Sequence, residues 1–382
     1  MSKYFKLRVE EVTRETPDTI SIRFAQPEGA RISYKPGQFL TLLVNMKGDQ
    51  VRRSYSMSSC PHTDDFIVVT VKRVADGRVS NFLNDTLKPG DTMEVMEPMG
   101  NFYIDAHPSK RRHVVLIGAG SGITPLISIA KTVLFAERES QVSLLYGNRN
   151  EKSIIFRQEL DGLEKQYEGR FKVIHVLSQP ASEKKSSFLS SFKKVIPGIG
   201  NNTQQWTGHT GRLNQSLVLK LLPTLPQWEA DRTEYFLCGP VGMMEEMKHA
   251  LSIMHVPANR IHWESFVITA NTDKHGQVET DASLPKTAKA VGPQEVTVIY
   301  EGSEYKFAVP PDKTILEAAL DLDIDLPYSC QSGNCTACRG KCLSGKVKLD
   351  EEDGLSEYEL KEGYVLTCVG HPLTEGVVIE IG

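Results

Sequence analysis

The 382-residue sequence has no apolar run long enough to cross a bilayer, and its opening residues, Met1-Ser2-Lys3-Tyr4-Phe5-Lys6, lack the apolar core of a signal peptide. A membrane-spanning or secreted protein is set aside on that reading, and the cytoplasm is the expected location. With 29 Gly and 20 Pro the chain has too little of either for a collagen-like or low-complexity protein, and 24% charged against 40% hydrophobic residues is a globular balance. No internal repeat is visible. At roughly 100 to 200 residues per domain, two to four domains are expected, each with a core of its own.

Positive charge is scarce towards the end of the chain. Residues 293–382 hold 17 Asp/Glu against 7 Lys/Arg, a net of −10, which leaves +6 for residues 1–292. That acidic end argues against a nucleic-acid binder. Carried on a flexible tether, it can instead dock by electrostatic steering on the basic remainder and on an external protein. Cysteine is also scarce, but four of the seven, Cys330, Cys335, Cys338 and Cys342, fall within thirteen residues, with Cys368 further on. In a cytosolic chain such clustering favours metal ligation over disulfides.

Patterning divides the chain. Over residues 1–106, short alternating or β-branched runs (Lys6–Val12, Thr19–Phe24, Phe39–Val44, Val51–Ser58, Phe66–Val74, Thr92–Glu97) are separated by Pro36-Gly37, Asp76-Gly77 and Pro89-Gly90, and predict a six-stranded antiparallel β-barrel. Residues 107–266 change character: buried strands at Val114–Ile117, Val142–Tyr146, Phe171–Leu177 and Tyr235–Cys238 alternate with helical patterns at Pro125–Glu139 and Ser153–Tyr167, the signature of a Rossmann-like parallel sheet. Ser178–Gln205, rich in Ser, Lys and Asn, reads as an elaborated loop, and residues 267–292 as a solvated linker. Residues 293–382 combine a hairpin (Glu295–Tyr300, Tyr305–Val309), a short helix at Thr314–Leu322, the cysteine loop and a last strand at Val377–Ile381, an α+β domain.

The spacing C-x4-C-x2-C-x29-C of Cys330, Cys335, Cys338 and Cys368 matches plant-type 2Fe-2S ligation. Ser332-Gly333 and Gly340 are expected to let backbone amides approach the sulfurs. A zinc knot and unligated core cysteines are the alternatives, although zinc favours two C-x2-C pairs and only one is present. Cys342 lies outside the pattern and reads as a buried apolar thiol. The loop Gly118-Ala119-Gly120-Ser121-Gly122-Ile123-Thr124-Pro125 follows a buried strand, where glycines permit a tight turn and a pyrophosphate can meet a helix N-terminus; Thr124 is expected to cap that helix with Pro125 at its first position. After the second strand stands Arg149, in Gly147-Asn148-Arg149-Asn150, where an NAD-specific fold places an acidic residue. A guanidinium there suits a 2'-phosphate, so NADPH is expected, with NADH possible.

Arg53-Ser54-Tyr55-Ser56 and Gly77-Arg78-Val79-Ser80, then the glycine loop, Cys238-Gly239-Pro240 and Glu264-Ser265-Phe266, occur in an order that resembles the ferredoxin-NADP reductase superfamily. With a C-terminal ferredoxin of β-grasp type the chain looks like an oxygenase reductase. Val51–Ser56, Asn84–Asp91, Tyr146–Arg149 and Phe236–Pro240 narrow the likeness to the reductase subunits of phenylacetyl-CoA epoxidases, although reductases of Rieske-type, steroid hydroxylase and desaturase systems share the domain order. The resemblance implies FAD rather than FMN, held by Arg53, Ser54, Tyr55, Ser56, Val71 and the Gly77–Ser80 segment through Arg78 and Val79. It implies nucleotide binding by Gly118, Gly120, Ser121, Gly122, Thr124, Arg149, Cys238, Gly239 and Pro240. Ser56, Cys238 and Glu264 would form the catalytic group, with Phe266 near the flavin. The implied route is NADPH to FAD to 2Fe-2S to an external oxygenase, because hydride brings two electrons and the cluster takes one. An iron-sulfur redox sensor is the alternative from another class.

Overall fold

The computed structural model describes residues 3–181, 206–266 and 292–381, except 28, 30, 47, 332, 334, 353 and 356. All but the last residue of the expected linker, nearly all of the Ser/Lys-rich segment, and Ser332 lie outside the described residues.

Alternation shapes the first unit. β1 (Tyr4–Thr16), β2 (Thr19–Ala25), β3 (Phe39–Met46), β4 (Asp49–Ser56), β5 (Phe66–Lys72) and β6 (Thr92–Met96) pair antiparallel in the order β4-β3-β6-β1-β2-β5. Past β4, Met57 bridges Val69 and the Ser58 amide donates to the Val68 carbonyl at 2.9 Å, so the two edges meet and the sheet closes. Every second side chain, among them Leu7, Val9, Ile20, Ile22, Leu40, Leu42, Val69 and Val71, points into the core. Where the sequence predicts only a turn at Gly77–Ser80, a helix begins: α1 (Arg78–Thr86) buries Val79 and Leu83, and the Asn84 amide ties it to β5 by donating to the Val71 carbonyl at 3.1 Å.

The second unit alternates β7 (His113–Ala119), α2 (Ile123–Ala136), β8 (Gln141–Asn148), α3 (Arg157–Gln166), β9 (Phe171–Leu177), the two-residue β10 (His209–Thr210), α4 (Gln215–Leu221), β11 (Thr233–Gly239), α5 (Val241–Ile253) and β12 (Ile261–Ser265). All strands are parallel, in the order β10-β9-β8-β7-β11-β12. Successive residues of β7 serve opposite faces: Val114 and Leu116 join the core under α2, Val115 and Ile117 the core under α5. The chain departs from β7 to one side and returns to its other side as β11. That reversal opens a crevice at the carboxyl ends of the two strands, where α/β sheets take ligands.

The third unit contains β13 (Gln294–Tyr300), β14 (Ser303–Val309), α6 (Ile315–Leu320), β15 (Arg339–Ser344), β16 (Val347–Leu349), α7 (Glu357–Lys361), β17 (Tyr364–Leu366), β18 (Gly370–Pro372) and β19 (Val377–Ile381). Its main sheet runs β14-β13-β19-β15-β17, with β13 and β19 parallel, and grips α6, which Thr314 and Glu317 start with a reciprocal capping box. Gly340 sits inside β15, where a Cβ would meet Ile379 at 2.4 Å, so close strand packing by itself calls for a glycine there.

A buried charge network braces the parallel sheet. Arg112 donates to Glu137 at 3.1 and 2.6 Å and to Glu234 at 2.8 Å, with Glu137 wholly buried. Burial opposes ionisation of Glu234, but the His262 and Arg112 donors outweigh it and hold its carboxyl down at about 2. This stabilisation is complete above pH 4.5 and is lost as pH falls towards 2. Arg112→Ala strands a buried carboxylate and should destabilise this unit by about 3–5 kcal/mol. Trp206, Trp228 and Trp263 all lie in it, so fluorescence-detected unfolding measures the effect; a wild-type midpoint at pH 7 would contradict the assignment.

Candidate active site

One cleft of about 1240 Å³ runs between the three units. On the barrel side it is walled by Arg53, Ser54, Tyr55 and Ser56 of β4 and by Gly77, Arg78, Val79 and Ser80. The pleat of β4 sets this wall, since Tyr55 pairs with Leu40 and Ser54 with Thr41 across the ladder. The N-terminus of α1 opens here with no side-chain hydrogen bond to its cap, at the helix end whose dipole favours an anion; Ser80 Oγ turns back to accept from the Val74 amide at 3.1 Å. Val71 does not reach the cleft: it is fully buried in the barrel core.

The glycine loop divides its tasks. Gly120, at φ +55°, lines the cleft with Ser121 and Thr124. Gly118 and Gly122 do not line it; a Cβ on Gly122 would lie 2.1 Å from the Cys238 carbonyl, and one on Gly118 would lie 2.6 Å from Leu126. These two glycines let α2 pack on the sheet. Contrary to expectation, Gly122 occupies the cap position of α2, Thr124 donates to the Ser121 carbonyl at 3.1 Å, and Pro125 stands third in the helix.

Gly239, Pro240, Glu264 and Phe266 line the floor, while Cys238 is buried behind it, in register with Glu264 across β11 and β12. Burial, then the Glu264 charge, push the Cys238 thiol well up. Ser56 Oγ donates to Glu264 Oε2 at 3.4 Å. Glu264 touches solvent on one side and is enclosed on the others; that surround raises its carboxyl from 4.5 to about 8, partly offset by the Ser56 hydroxyl. At the far end Arg149 is exposed on the cleft wall with Lys152 and Arg212. Asn148 beside it is 9% exposed, and neither amide atom has a hydrogen-bond partner among the described residues; the nearby Tyr146 hydroxyl donates its proton to the Gly120 carbonyl at 2.9 Å. A buried, unsatisfied amide on a cleft wall suits a polar ligand. Asn148, Lys152 and Arg212 escape the sequence reading: the first adjoins a more conspicuous arginine, and Arg212 follows a Ser/Lys-rich stretch that carries no motif.

At the opposite end Ser329, Cys330 and Cys335 join the wall. Cys338 and Cys368 are buried behind them. Contact with Cys330, then burial, raises the Cys335 thiol, while a hydrogen bond with Cys368 lowers Cys338. The four thiols thus meet as Cys330 with Cys335 and Cys338 with Cys368, with Cys368 also touching Cys330. No three His, Cys, Asp or Glu side chains among the described residues surround the place of a single ion. Cys342 is half-buried rather than buried, and its Sγ donates to the Ser344 carbonyl at 3.3 Å.

An oxidoreductase FAD-binding domain model matches residues 6–104, an oxidoreductase NAD-binding domain model residues 116–197, and a 2Fe-2S iron-sulfur cluster binding domain model residues 298–373. The chain belongs to the ferredoxin-NADP reductase superfamily, and is an NAD(P)H-dependent oxidoreductase of the class that forms reductase components of multicomponent oxygenases. It is 33% identical to a component of 1,2-phenylacetyl-CoA epoxidase from Escherichia coli (strain K12), over 100% of this chain and 98% of that protein. It is 36% identical to the ferredoxin reductase component of 3-ketosteroid-9-alpha-monooxygenase from Rhodococcus rhodochrous, over 98% and 96%. The solved phthalate dioxygenase reductase shares the fold, with a TM-score of 0.56 and 22% identity over 99% of this chain and 98% of that one. No helix among the described residues is long and apolar enough to cross a membrane.

The raised Glu264 value carries its own test. The contribution to stability is complete below pH 4.5 and fades as pH rises through about 8, so Glu264→Gln should flatten the stability curve over that window. The carboxylic C=O infrared band assigned by that substitution should persist at pH 7; a band already lost at pH 6 would refute the low-dielectric surround.

Proposed function

We propose that this chain takes hydride from NADPH and delivers single electrons to a separate oxygenase, with a phenylacetyl-CoA epoxidase as the favoured partner. The observation that carries the proposal is the continuity of one cleft from Arg149, past β4, to Cys330 and Cys335. The 36% identity to the ketosteroid monooxygenase component supports a second reading, in which a steroid hydroxylase is the acceptor. Four cysteines retained as thiolate ligands call for a reducing compartment, and the cytoplasm is the proposed location.

The residues fit the two prosthetic groups. The uncapped start of α1 and Arg53 offer amides and a guanidinium to the diphosphate of FAD, and Gly77 is required there because a Cβ would meet Ser80 Oγ at 2.7 Å. Thiols that meet in two pairs supply the donor chemistry of a two-iron centre, and Cys330, Cys335, Cys338 and Cys368 would hold it. When bound, FAD splits a hydride's two electrons into single ones and the 2Fe-2S cluster carries them singly. Tyr55 would cover one side of the ring, with Phe266 excluding water. Ser56 would orient the ring edge while Glu264 holds a proton at its carboxyl below pH about 8. Cys238, buried and kept as a thiol, would back the nicotinamide, and Gly239 and Pro240 would shape its seat. Gly120, Ser121 and Thr124 would take the nucleotide diphosphate. Arg149 would take the 2'-phosphate.

Replacing Cys335 or Cys338 by Ser should abolish the iron-sulfur absorbance and one-electron delivery while leaving flavin reduction by NADPH intact. Cys342→Ser should retain all three, and equal damage from it would overturn the ligand assignment. Removing the charge-assisted phosphate contact in Arg149→Ala should cost about 1.5 to 3 kcal/mol, on the order of tenfold to a hundredfold in the KM for NADPH, with the KM for NADH nearly unchanged. Equal use of both nucleotides by the unmodified protein would remove the basis for this role.

A further inference from the structure

A second cluster of charged and aromatic side chains lies outside the cleft, where the third unit meets the barrel. Arg52, on β4, is 12% exposed. Its guanidinium lies 4.1 Å over the Tyr328 ring, donates to the Tyr4 hydroxyl at 3.2 Å and pairs with Asp325 at 3.5 Å, while Tyr4 donates to the other Asp325 oxygen at 3.0 Å. Burial, above all, pushes the Tyr4 phenol up to about 12. Two residues past Arg52 and one past Tyr328, Ser54 Oγ donates to Ser329 Oγ at 2.6 Å. A more distant contact, from the Asn101 amide to Glu359 at 3.5 Å, involves a carboxylate already paired with Arg339 at 2.6 Å.

We infer that Arg52 is a positioning residue for electron transfer, a pin that seats the cysteine loop of the third unit over β4. The inference rests on the cleft reading above and adds a role to a residue that touches neither the cleft nor the thiols. Its reasoning is geometric. Arg52 precedes the cleft-lining Arg53–Ser56 on one rigidly paired strand, and Asp325, Tyr328 and Ser329 precede Cys330 on one loop. Fixing the first segment against the second therefore fixes the cysteines against the flavin wall. Exposed ion pairs contribute little, but a guanidinium desolvated between two tyrosines and a carboxylate is worth more. A polar pin of this kind also holds without fusing the two cores, so the third unit can be released to an external acceptor.

The test uses the full-length protein loaded with both cofactors, mixed anaerobically with NADPH in a stopped-flow spectrophotometer. Arg52→Gln should leave flavin reduction at the wild-type rate and slow cluster reduction about tenfold, the loss expected when one desolvated cation contact goes. Arg52→Lys, which keeps the charge and its place over Tyr328, should recover most of that rate. Amide hydrogen exchange, independent of turnover, should rise over residues 325–330 in Arg52→Gln and stay unchanged in the barrel strands. Unaltered cluster reduction in Arg52→Gln would overturn the proposal, as would an equal slowing of flavin reduction, which would mark Arg52 as a barrel support. Wild-type protein whose flavin or cluster is not reduced by NADPH would instead overturn the cleft reading, and the pin with it.

Discussion

Among the described residues, the tightest glycine site is a backbone contact with no room for a side chain. At Gly122 the loop after β7 passes so near the Cys238 carbonyl that a Cβ would sit 2.1 Å from it. That proximity lets α2 start directly on the sheet and brings the ends of β7 and β11 together as one floor. It also buries Cys238, whose register with Glu264 then places a carboxylate at the cleft surface in a poorly solvated setting. The electrostatics of the floor follow mainly from this close packing, with the Glu264 charge acting second on Cys238.

Much of the fold is legible in the sequence, for identifiable reasons. Short alternating or β-branched runs in β1 to β6 reveal the barrel, and continuous apolar runs reveal β7, β8, β9 and β11, because burial on one or both faces leaves a direct trace in composition. α1 leaves little trace: its apolar residues, Val79, Phe82 and Leu83, are few, and the glycine before them reads as a turn. The glycine loop is visible as a unit, but which glycine faces ligand and which faces backbone depends on the partner strand, some 116 residues away. Thr124 misleads for a related reason, since the helix starts two residues earlier than its capping propensity suggests. Asn148 illustrates the opposite limit, because an unsatisfied amide is a property of surroundings and not of sequence.

The charge split along the chain points to docking without locating it. Arg52 and Asp325 are 273 residues apart, and Arg52 sits beside Arg53, the arginine that attracts notice through its motif. What the structure adds is that the contact combines one ion pair with a ring face and hydroxyl bonds. Salt acts strongly only on the first of these, so net charge is a poor guide to how firmly the units hold.

The distribution of core residues bears on how such a chain could be rearranged. Phe102 and Ile104, which trail from the barrel, are buried in the core beneath α2, whereas the core of the third unit draws only on residues 296–381. Cutting after the barrel would expose two large apolar side chains and leave a void in the neighbouring core, while the third unit's core would survive separation. Recombination of genes encoding such chains would therefore tolerate moving the ferredoxin unit to another position, and would tend to inherit the barrel and the parallel sheet together.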